Sequence, residues 1–291
     1  MKFVVLAAAD SWYLRDLSRA AAGDFEIVPL AFSQVLAAIS KQEGQVSDSQ
    51  QRLQAADAVL VRTMPPGSLE QVVFRMDALA QLDQAGTLVI NPPRAIEVAV
   101  DKYLTTARLA NAGLRCPRTI VCQTADAAMQ AFEQLGGDVV IKPLFGSEGR
   151  GLTRVSNENL ALRAFTMLER MDAIIYLQQF IEHEGFDMRL FVLGESVLGM
   201  RRVNPHDWRT NVSRGATVES LPVDDSLAAM ARAAARSAGA MIAGVDVLPG
   251  RDGNLYVLEV NAVPGWKALS RALDLDVARL VLDYVASLIR R

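Results

Sequence analysis

The chain has 291 residues, of which 51% are hydrophobic and 22% are charged, and this composition excludes an intrinsically disordered protein. The formal net charge of −3 argues against a protein that coats nucleic acid, because such proteins carry an excess of Lys and Arg. The apolar run before Asp10 is too short for a signal peptide or a membrane span, and no later run is long enough to cross a bilayer. Cys116 and Cys122 give neither a disulfide framework nor a zinc-binding spacing. We therefore expect a cytoplasmic protein with neither a nucleic-acid nor a membrane partner.

The N-terminal part of the chain alternates between strand and helix patterns. The strands that this pattern predicts are 2–8, 25–30, 58–62 and 87–91. The helices that it predicts are 11–23, 32–40 and 68–86. Such alternation is typical of a small parallel α/β layer. The pair Pro92-Pro93 marks the boundary of this first lobe, residues 1–93.

The rest of the chain is predicted to form two further lobes, residues 94–182 and 183–291. The elements predicted in the second lobe are helices 99–113, 126–137 and 157–171 and strands 118–123, 138–144 and 173–181. The elements predicted in the third lobe are strands 186–193, 196–203, 243–249 and 254–261 and helices 225–239 and 274–289. The fold class is therefore α/β, with α+β character in the C-terminal lobe.

The last two predicted strands are joined through Asp252-Gly253, a dipeptide favoured in two-residue type I′ turns. With that turn, Asp246 stands opposite Glu259, and Asn261 lies two residues further along the same face. Two carboxylates about 4 Å apart repel by about 4 kcal/mol at an effective dielectric near 20. A divalent cation relieves this repulsion, and oxygen ligands suit Mg²⁺ or Mn²⁺.

A second interpretation of this hairpin needs no metal. In it, Glu259 pairs with an arginine, and Asn261 caps the helix that follows. The register also depends on the turn, because a four-residue loop would put Gly244 opposite Glu259 and weaken the metal site.

A glycine-rich loop follows the predicted strand that ends near Lys142. Gly146, Gly149 and Gly151 have a spacing that matches neither the dinucleotide-binding fingerprint nor the P-loop. Glycines let backbone N–H groups approach phosphates closely, and a lysine adds a positive charge. The loop therefore indicates a phosphate site, although ordinary turns also use glycine.

A third pattern brings arginines together on another predicted hairpin. Asp187 and Arg189 share one face of its first strand, and a two-residue loop places Arg202 opposite Asp187. The loop that follows adds Arg209, Asn211 and Arg214. Several guanidinium groups near a metal site suit phosphate and carboxylate oxygens, whereas the alternative is a structural Asp187–Arg202 pair on a solvated face.

Seven short motifs of this chain resemble those of the ATP-grasp superfamily, and within it the RimK-like ligases that join an amino acid to a carboxylate. In chain order the motifs are DKYLTT, VIKPLFGSEGRG, LQQFIE, FDMRLFVLG, RTN, GVDVL and LEVNAVPG. They span roughly residues 100 to 265, and the strand–helix alternation before them fits the N-terminal lobe of that family. The resemblance implies an ATP-grasp fold with ATP and Mg²⁺ as cofactors, and with Mn²⁺ as a possible replacement.

The resemblance also implies roles for individual residues. It assigns the ATP contacts to Lys102, Lys142, Gly146, Ser147, Gly149, Gly151, Gln179, Phe180, Asp187, Arg209 and Asn211. Among these, the two lysines hold phosphates, the Gln179–Phe180 backbone reads adenine and Asp187 contacts the ribose; Gln179 replaces the more usual glutamate. The implied metal ligands are Asp246, Glu259 and Asn261. The arginines expected to neutralise charge during catalysis are Arg202 and Arg189.

The implied reaction joins a small-molecule amino acid to a carboxylate acceptor through an acyl phosphate. The segments VRTMPPGSLEQVVFRMDAL and VPGWKAL resemble ATP-grasp ligases of tetrahydromethanopterin biosynthesis more than they resemble ligases that modify ribosomal proteins. This resemblance implies the addition of glutamate or another amino acid to a pterin-type or related cofactor precursor. Arg62 and Lys267 are candidates for binding anionic substrate groups, although a surface cation is the commoner explanation for each. The tryptophans are candidates for stacking on a ring, although core packing is their commoner use.

Two other functions are compatible with the same sequence features. One is a nucleotide-binding sensor or scaffold that has lost ligation. The other is a kinase that phosphorylates a small molecule on the same fold. A homodimer or homotetramer is also compatible with the resemblance.

Overall fold

The computed structural model describes residues 1–40, 43–146 and 150–290. The chain begins with the elements β1 (Lys2–Leu6), α1 (Trp12–Ala21), β2 (Glu26–Leu30), β3 (Leu36–Ser40), β4 (Glu43–Ser47), β5 (Ala58–Val61), α2 (Leu69–Gln84) and β6 (Leu88–Ile90). Four of these strands form a parallel sheet in the order β2-β1-β5-β6. The predicted parallel α/β layer is therefore confirmed.

Local sequence explains where these first elements begin. Phe3, Val4, Val5 and Leu6 are all fully buried, as expected for a parallel strand that is covered on both faces. The hydroxyl of Ser11 accepts a hydrogen bond from the N–H of Leu14 at the start of α1. Ser68 caps α2 in the same way, and Gln71 reciprocates at the backbone of Ser68.

The prediction of a helix over 32–40 is wrong. A single 3₁₀ turn, Phe32–Gln34, leads into β3, which pairs antiparallel with β4 from Leu36↔Ser47 onward. The five residues of β3 are exposed, so a helix in this segment would have no apolar face to bury. A short helix without tertiary packing is marginal in water, whereas the hairpin pairs the same backbone groups.

The central part of the chain forms a second sheet. Its elements are α3 (Pro93–Val100), α4 (Lys102–Asn111), β7 (Thr119–Cys122), α5 (Ala125–Gln134), β8 (Val139–Lys142), β9 (Thr153–Val155), α6 (Glu158–Arg170) and β10 (Ile175–Gln179). The strands pair antiparallel in the order β7-β10-β8-β9. The sequence did not predict α3 or β9. Pro93 is the first residue of α3. Proline is favoured at this position because the N–H that it lacks would have no hydrogen-bond partner within the helix.

The C-terminal part forms an antiparallel sheet in the order β13-β12-β11-β14-β15. Its elements are β11 (Phe186–Leu193), β12 (Ser196–Val203), β13 (Thr217–Leu221), α7 (Asp225–Ala238), β14 (Ile242–Pro249), β15 (Leu255–Asn261), α8 (Lys267–Leu273) and α9 (Val277–Ile289). The strands of both predicted hairpins are confirmed. The edge strand β13 and the short helix α8 were not predicted. None of the residues of β13 is buried, so its sequence lacks the alternation of apolar and polar residues that marks a strand.

Two hydrophobic clusters join the N-terminal sheet to the C-terminal sheet. One contains Val4 and Val59 together with Val245 and Val247, and the other contains Phe3 together with Trp266 and residues of the helix α9. The central sheet and its helices have a separate core. The division into lobes 1–93, 94–182 and 183–291 stays a prediction. Within the described ranges, no helix combines the length and the apolar character needed to cross a membrane.

The side chain of Asn91 links the N-terminal sheet to the C-terminal part of the chain through hydrogen bonds. Its side-chain oxygen accepts hydrogen bonds from the N–H groups of Met241 and Ile242 at 2.8 and 2.9 Å. Its amide nitrogen donates to the carbonyl oxygens of Ile242 and Ala262. Since Asn91 is buried, these four bonds satisfy a polar group that would otherwise be costly to bury.

Candidate active site

The hairpin of β14 and β15 places Asp246 directly opposite Glu259, which confirms the predicted pairing. The predicted two-residue turn is wrong, because the N–H of Gly250 bonds the carbonyl of Asn254 at 2.8 Å and leaves a three-residue loop. This loop shifts the register by one residue. The shift is reversed beyond Val247, where Leu258 is an extra residue in β15. A β-bulge of this kind re-aims the side chains that follow it.

Two arginines hold the carboxylate of Asp246. Arg189 and Arg202 each place Nη2 2.9 Å from its Oδ2 atom, and Nε of Arg189 contacts Oδ1. Arg202 also binds Asp187, with Nε 2.7 Å from Oδ1. The Asp187–Arg202 pair left open by the sequence is thus present, and it is part of a buried network rather than of a solvated face.

Burial and neighbouring charges set the pKa values of the three acids in this network. Burial alone would raise the pKa of Asp246, but Arg189 and Arg202 outweigh it, and the pKa is lowered. At Asp187 burial prevails over Arg202 and raises the pKa. Burial, followed by the charge of Asp246, raises the pKa of Glu259. Burial therefore disfavours the charged forms of Asp187 and Glu259.

Two lysines approach Glu259 from the central elements. Lys142, the last residue of β8, is buried, and this burial lowers its pKa to about 8. Lys102, the first residue of α4, has its pKa lowered by burial, while Glu259 acts in the opposite direction on both lysines. The Nζ atom of Lys102 donates to the carbonyl of Gly146 at 2.7 Å. Lys102 is thereby hydrogen-bonded to the first glycine of the glycine-rich loop.

Most of these groups line one cleft, whose empty volume is about 830 Å³ when the space open to solvent is included. The predicted residues that line it are Lys102, Lys142, Gly146, Gln179, Phe180, Asp187, Arg202, Arg209, Asn211, Asp246 and Glu259. The predicted residues that are not part of its lining are Arg189, Gly151 and Asn261. Ser147 and Gly149 lie outside the described residues. Residues from the central and the C-terminal elements thus meet in this cleft.

One end of the cleft is aromatic, and sequence reasoning found only part of it. The centre of the Phe180 ring lies 5.9 Å from the ring centres of both Trp208 and His183. The guanidinium carbon of Arg154 lies 3.5 Å from the centre of the Phe180 ring. His183 and Thr210 line the cleft but were not predicted. Thr210 lies inside the motif RTN, whose other two residues were predicted, so the motif itself was the available signal.

Arg209 and Asn261 have partners within the chain. Arg209 forms an ion pair with Asp207, with Nη2 2.7 Å from Oδ2. The Oδ1 atom of Asn261 accepts a hydrogen bond from the N–H of Val263 at 2.8 Å. Asn261 therefore orders the turn after β15, which resembles the capping role left open by the sequence, although α8 begins only at Lys267.

The donor set fits a divalent cation in part. Glu259 faces Asp246 across the hairpin, and a cation would offset the burial that raises the pKa of Glu259. Among the residues that the structure describes, no group of three or more His, Cys, Asp or Glu side chains is arranged to hold a metal. A hard cation bound here therefore needs further oxygen ligands, which phosphates and water supply in Mg²⁺ sites.

Comparison with known proteins identifies the family. Residues 99–285 match the RimK-like ATP-grasp domain. A tetrahydromethanopterin:alpha-L-glutamate ligase of Methanosarcina acetivorans is 32% identical over 80% of this chain and 81% of its own length. The enzyme of the same name from Methanococcus maripaludis is 29% identical over 97% of each chain.

A solved structure has the same fold. It is the ATP-grasp ligase PsnB complexed with minimal precursor, Mg and ADP, which superposes with a TM-score of 0.78 over 99% of this chain and 97% of that one, at 21% identity. The ATP-grasp fold and the RimK-like resemblance predicted from the sequence are confirmed. The chain belongs to the RimK-like ATP-grasp family of ligases.

Proposed function

We propose that this protein is an ATP-dependent ligase that forms an amide bond between an amino acid and a carboxylate acceptor. The observation that carries this proposal is the single cleft in which Lys102 and Lys142 face the Asp246–Glu259 pair and Arg202. Such a mixture of buried cations and carboxylates suits phosphates together with a divalent ion. The names of the relatives support glutamate as the amino acid and a pterin-type cofactor precursor as the acceptor.

The proposed reaction has two steps. First, a carboxylate oxygen of the acceptor attacks the γ-phosphorus of ATP, the bond to the bridging oxygen breaks, and ADP leaves. Second, the amine nitrogen attacks the carbonyl carbon of the acyl phosphate, the carbon–oxygen bond to phosphate breaks, and inorganic phosphate leaves. The nitrogen gives up one proton as the amide forms. No protein side chain becomes covalently attached in this scheme.

The residues of the cleft have separate tasks in this proposal. Lys102 and Lys142 bind the phosphates of ATP, and Arg202 neutralises charge at the acyl phosphate. Arg202 suits that task because Asp187 and Asp246 fix its orientation, and Arg189 supports it by holding Asp246. Mg²⁺ bound by Glu259, with Asp246 and Asn261 as further ligands, would offset the charge of the triphosphate.

The aromatic end of the cleft is the proposed adenine site. The backbone of Gln179 and Phe180 would read the base, and Asp187 and the loop residues Arg209 and Asn211 would contact the ribose and phosphates. The glycine-rich loop would close over the phosphates and exclude water, which otherwise hydrolyses an acyl phosphate. The hydrogen bond from Lys102 to Gly146 supports this role, since it joins a phosphate-binding residue to the loop.

Three further points belong to this proposal. Mn²⁺ is expected to replace Mg²⁺, because the same oxygen ligands suit both ions. The protein is expected to act in the cytoplasm, on small molecules, and as a homodimer or homotetramer.

The experiment that tests the proposal measures ADP and phosphate release from Mg²⁺-ATP. The purified protein is given L-glutamate and each member of a panel of carboxylate acceptors that includes pterin-type precursors, and the products are weighed by mass spectrometry. Phosphate release that requires both substrates, with a product heavier by one glutamate residue, is the expected result. A stable phosphorylated acceptor that does not react further would identify a kinase instead. Tight ATP binding without turnover of any pair would favour a sensor or scaffold.

A further inference from the structure

The side chain of Arg62 is a cation that lies against two aromatic rings and, among the described residues, pairs with no carboxylate. Its guanidinium carbon lies 4.3 Å from the centre of the Trp266 ring and 5.0 Å from that of the Tyr13 ring. Its Nη2 atom donates to the carbonyl of Pro264 at 2.7 Å, and its Nε atom is buried and has no hydrogen-bond partner among the described residues. In the described part of the chain no carboxylate pairs with it, and burial lowers its pKa to about 10.

The position of Arg62 in the sheet indicates a binding site independently of its charge. In the order β2-β1-β5-β6, the chain passes from β1 to β2 on one side of the sheet and from β5 to β6 on the other side. The segments that leave the carboxyl ends of β1 and β5 therefore diverge. Ligands of open parallel sheets bind in the crevice at such a point. Arg62 directly follows β5, and Tyr13 lies in the helix that follows β1.

Arg62 is connected to the hairpin of β14 and β15 through Pro264 and Gly244, neither of which lines the nucleotide cleft. It is not part of the cleft lining. A Cβ atom added at Gly244 would lie 2.5 Å from Nη1 of Arg189 and 3.1 Å from the ring of Pro264. Arg189 holds Asp246, and the carbonyl of Pro264 accepts the hydrogen bond from Arg62. These contacts link Arg62 to the hairpin that carries Asp246 and Glu259, although Arg62 itself is not part of the cleft lining.

We propose that Arg62 binds the α-carboxylate of the amino acid that supplies the amine. This inference rests on the proposed ligase activity. An α-amino acid always carries a carboxylate one carbon away from its nucleophilic nitrogen, so fixing that carboxylate also fixes the attacking atom. A guanidinium carries five N–H donors; in Arg62, Nη2 donates to the carbonyl of Pro264 and Nε has no hydrogen-bond partner among the described residues. A guanidinium binds carboxylates with charge-assisted hydrogen bonds. The rings of Tyr13 and Trp266 hold the guanidinium in place.

The direct test measures binding of L-glutamate to the full chain loaded with Mg²⁺ and ADP, by isothermal titration calorimetry. The Arg62→Met variant is compared with Arg201→Met as a matched control. Arg201 also stacks on a ring, 3.8 Å from the centre of Phe186, and also has a buried Nε without a partner, but it pairs with Glu219 at 3.7 Å.

We expect Arg62→Met to weaken glutamate binding by about 30-fold or more, the loss typical of a hydrogen bond to a charged group. Binding of ADP should stay within about twofold of wild type in both variants, and Arg201→Met should bind glutamate normally. Equal glutamate affinity in Arg62→Met and wild type would overturn the inference. So would a wild-type protein that binds ADP but no glutamate.

A second measurement separates carboxylate recognition from a structural role. Wild type should react poorly with glutamate whose α-carboxylate is converted to an amide. Arg62→Met lacks the guanidinium that distinguishes the carboxylate from the amide, so this variant should use glutamate and its α-amide equally well. Hydroxylamine, which has no carboxylate, should trap the acyl phosphate as a hydroxamate at the wild-type rate in Arg62→Met. Equal loss of hydroxamate and amide formation would overturn the inference. If glutamate binding depends on Arg62 but no acceptor is ever ligated, the proposed reaction is wrong and the assignment of Arg62 stands.

Discussion

Asp246 and Glu259 face each other across β14 and β15 because Leu258 is an extra residue in β15. Without the bulge, the register set by the three-residue loop would continue, and Leu258 would stand opposite Asp246. Glu259 would then point to the other face of the sheet, since side chains alternate between faces. The loop and the bulge together therefore determine which side chain faces the two lysines.

Glu259→Gln should abolish Mg²⁺-dependent activity and leave the fold intact. We expect a loss of at least about 100-fold in kcat, the size seen when one stabilising group is removed from an active site. Because burial raises the pKa of Glu259, the neutral side chain should leave the Tm of the metal-free protein at pH 8 unchanged or higher. Thermal unfolding and phosphate release check both parts. The control is Glu219→Gln, on the exposed strand β13; full activity of Glu259→Gln would contradict the metal assignment.

Arg202→Met should destabilise the protein strongly. The substitution leaves Asp187 and Asp246 buried without the guanidinium that both bind, and breaking a buried ion pair from one side costs about 3–5 kcal/mol. Urea unfolding gives the difference in free energy. The control is Arg94→Met, whose ion pair with Glu97 is exposed and should contribute at most about 1 kcal/mol. A loss at Arg202 as small as that at Arg94 would mean that the network adds little to stability.

Asn91→Leu should weaken the attachment between the N-terminal and the C-terminal sheets. The substitution removes four hydrogen bonds and leaves buried N–H and carbonyl groups of Met241, Ile242 and Ala262 without partners. Each unsatisfied group costs about 1–3 kcal/mol, so we expect a total loss of several kcal/mol by urea unfolding. The helix-capping Asn157→Ala, which removes one exposed bond, should cost only about 1 kcal/mol. A smaller loss at Asn91 than at Asn157 would refute the role of Asn91.

Lys142→Met should stabilise the protein in the absence of metal and nucleotide, by at most about 3 kcal/mol at pH 7, while removing ATP binding. Burial lowers the pKa of Lys142 from 10.5 to about 8 in the folded state. Below pH 8 both states are protonated, and the folded state bears the full cost of the buried charge. Between about pH 8 and 10.5 the folded state loses its proton first, so wild type gains stability as the pH rises.

Unfolding curves at pH 7 and pH 10 in the presence of EDTA test the effect of Lys142. The stability difference between wild type and Lys142→Met should shrink at the higher pH. Lys267→Met, at an exposed position, should show no such change. A difference that is constant with pH would mean that Lys142 is not buried as a charge.

The fold and most of the site were predictable because each rests on a local pattern. The buried strand β1 is a continuous apolar run. Asp246 and Glu259 lie on two predicted strands, and the two lysines lie at a strand end and at a helix start, all four within recognisable motifs. The pairing of Asp246 with Glu259 was predicted through a two-residue turn that does not exist. The result was nevertheless correct, because the longer loop and the bulge at Leu258 shift the register in opposite directions.

The remaining features could not be predicted because they depend on tertiary contacts. The hairpin β3–β4 has alanines and apolar residues at helical spacing, and only the lack of any surface to bury them against excludes a helix. His183 lies in no motif that marks it as part of the cleft. The two arginines on Asp246 come from β11 and β12, and their convergence on one carboxylate follows from the order of strands in the sheet.

Two of the three tryptophans should report ligand binding through their fluorescence. Trp208 lines the nucleotide cleft, whereas Trp266 is fully buried beneath the guanidinium of Arg62. Indole emission responds to nearby charge, so the two sites would report separately. A Trp208→Phe protein should lose most of its fluorescence response to ADP and keep a response to glutamate. The order in which the two ligands bind could then be followed in real time without any label.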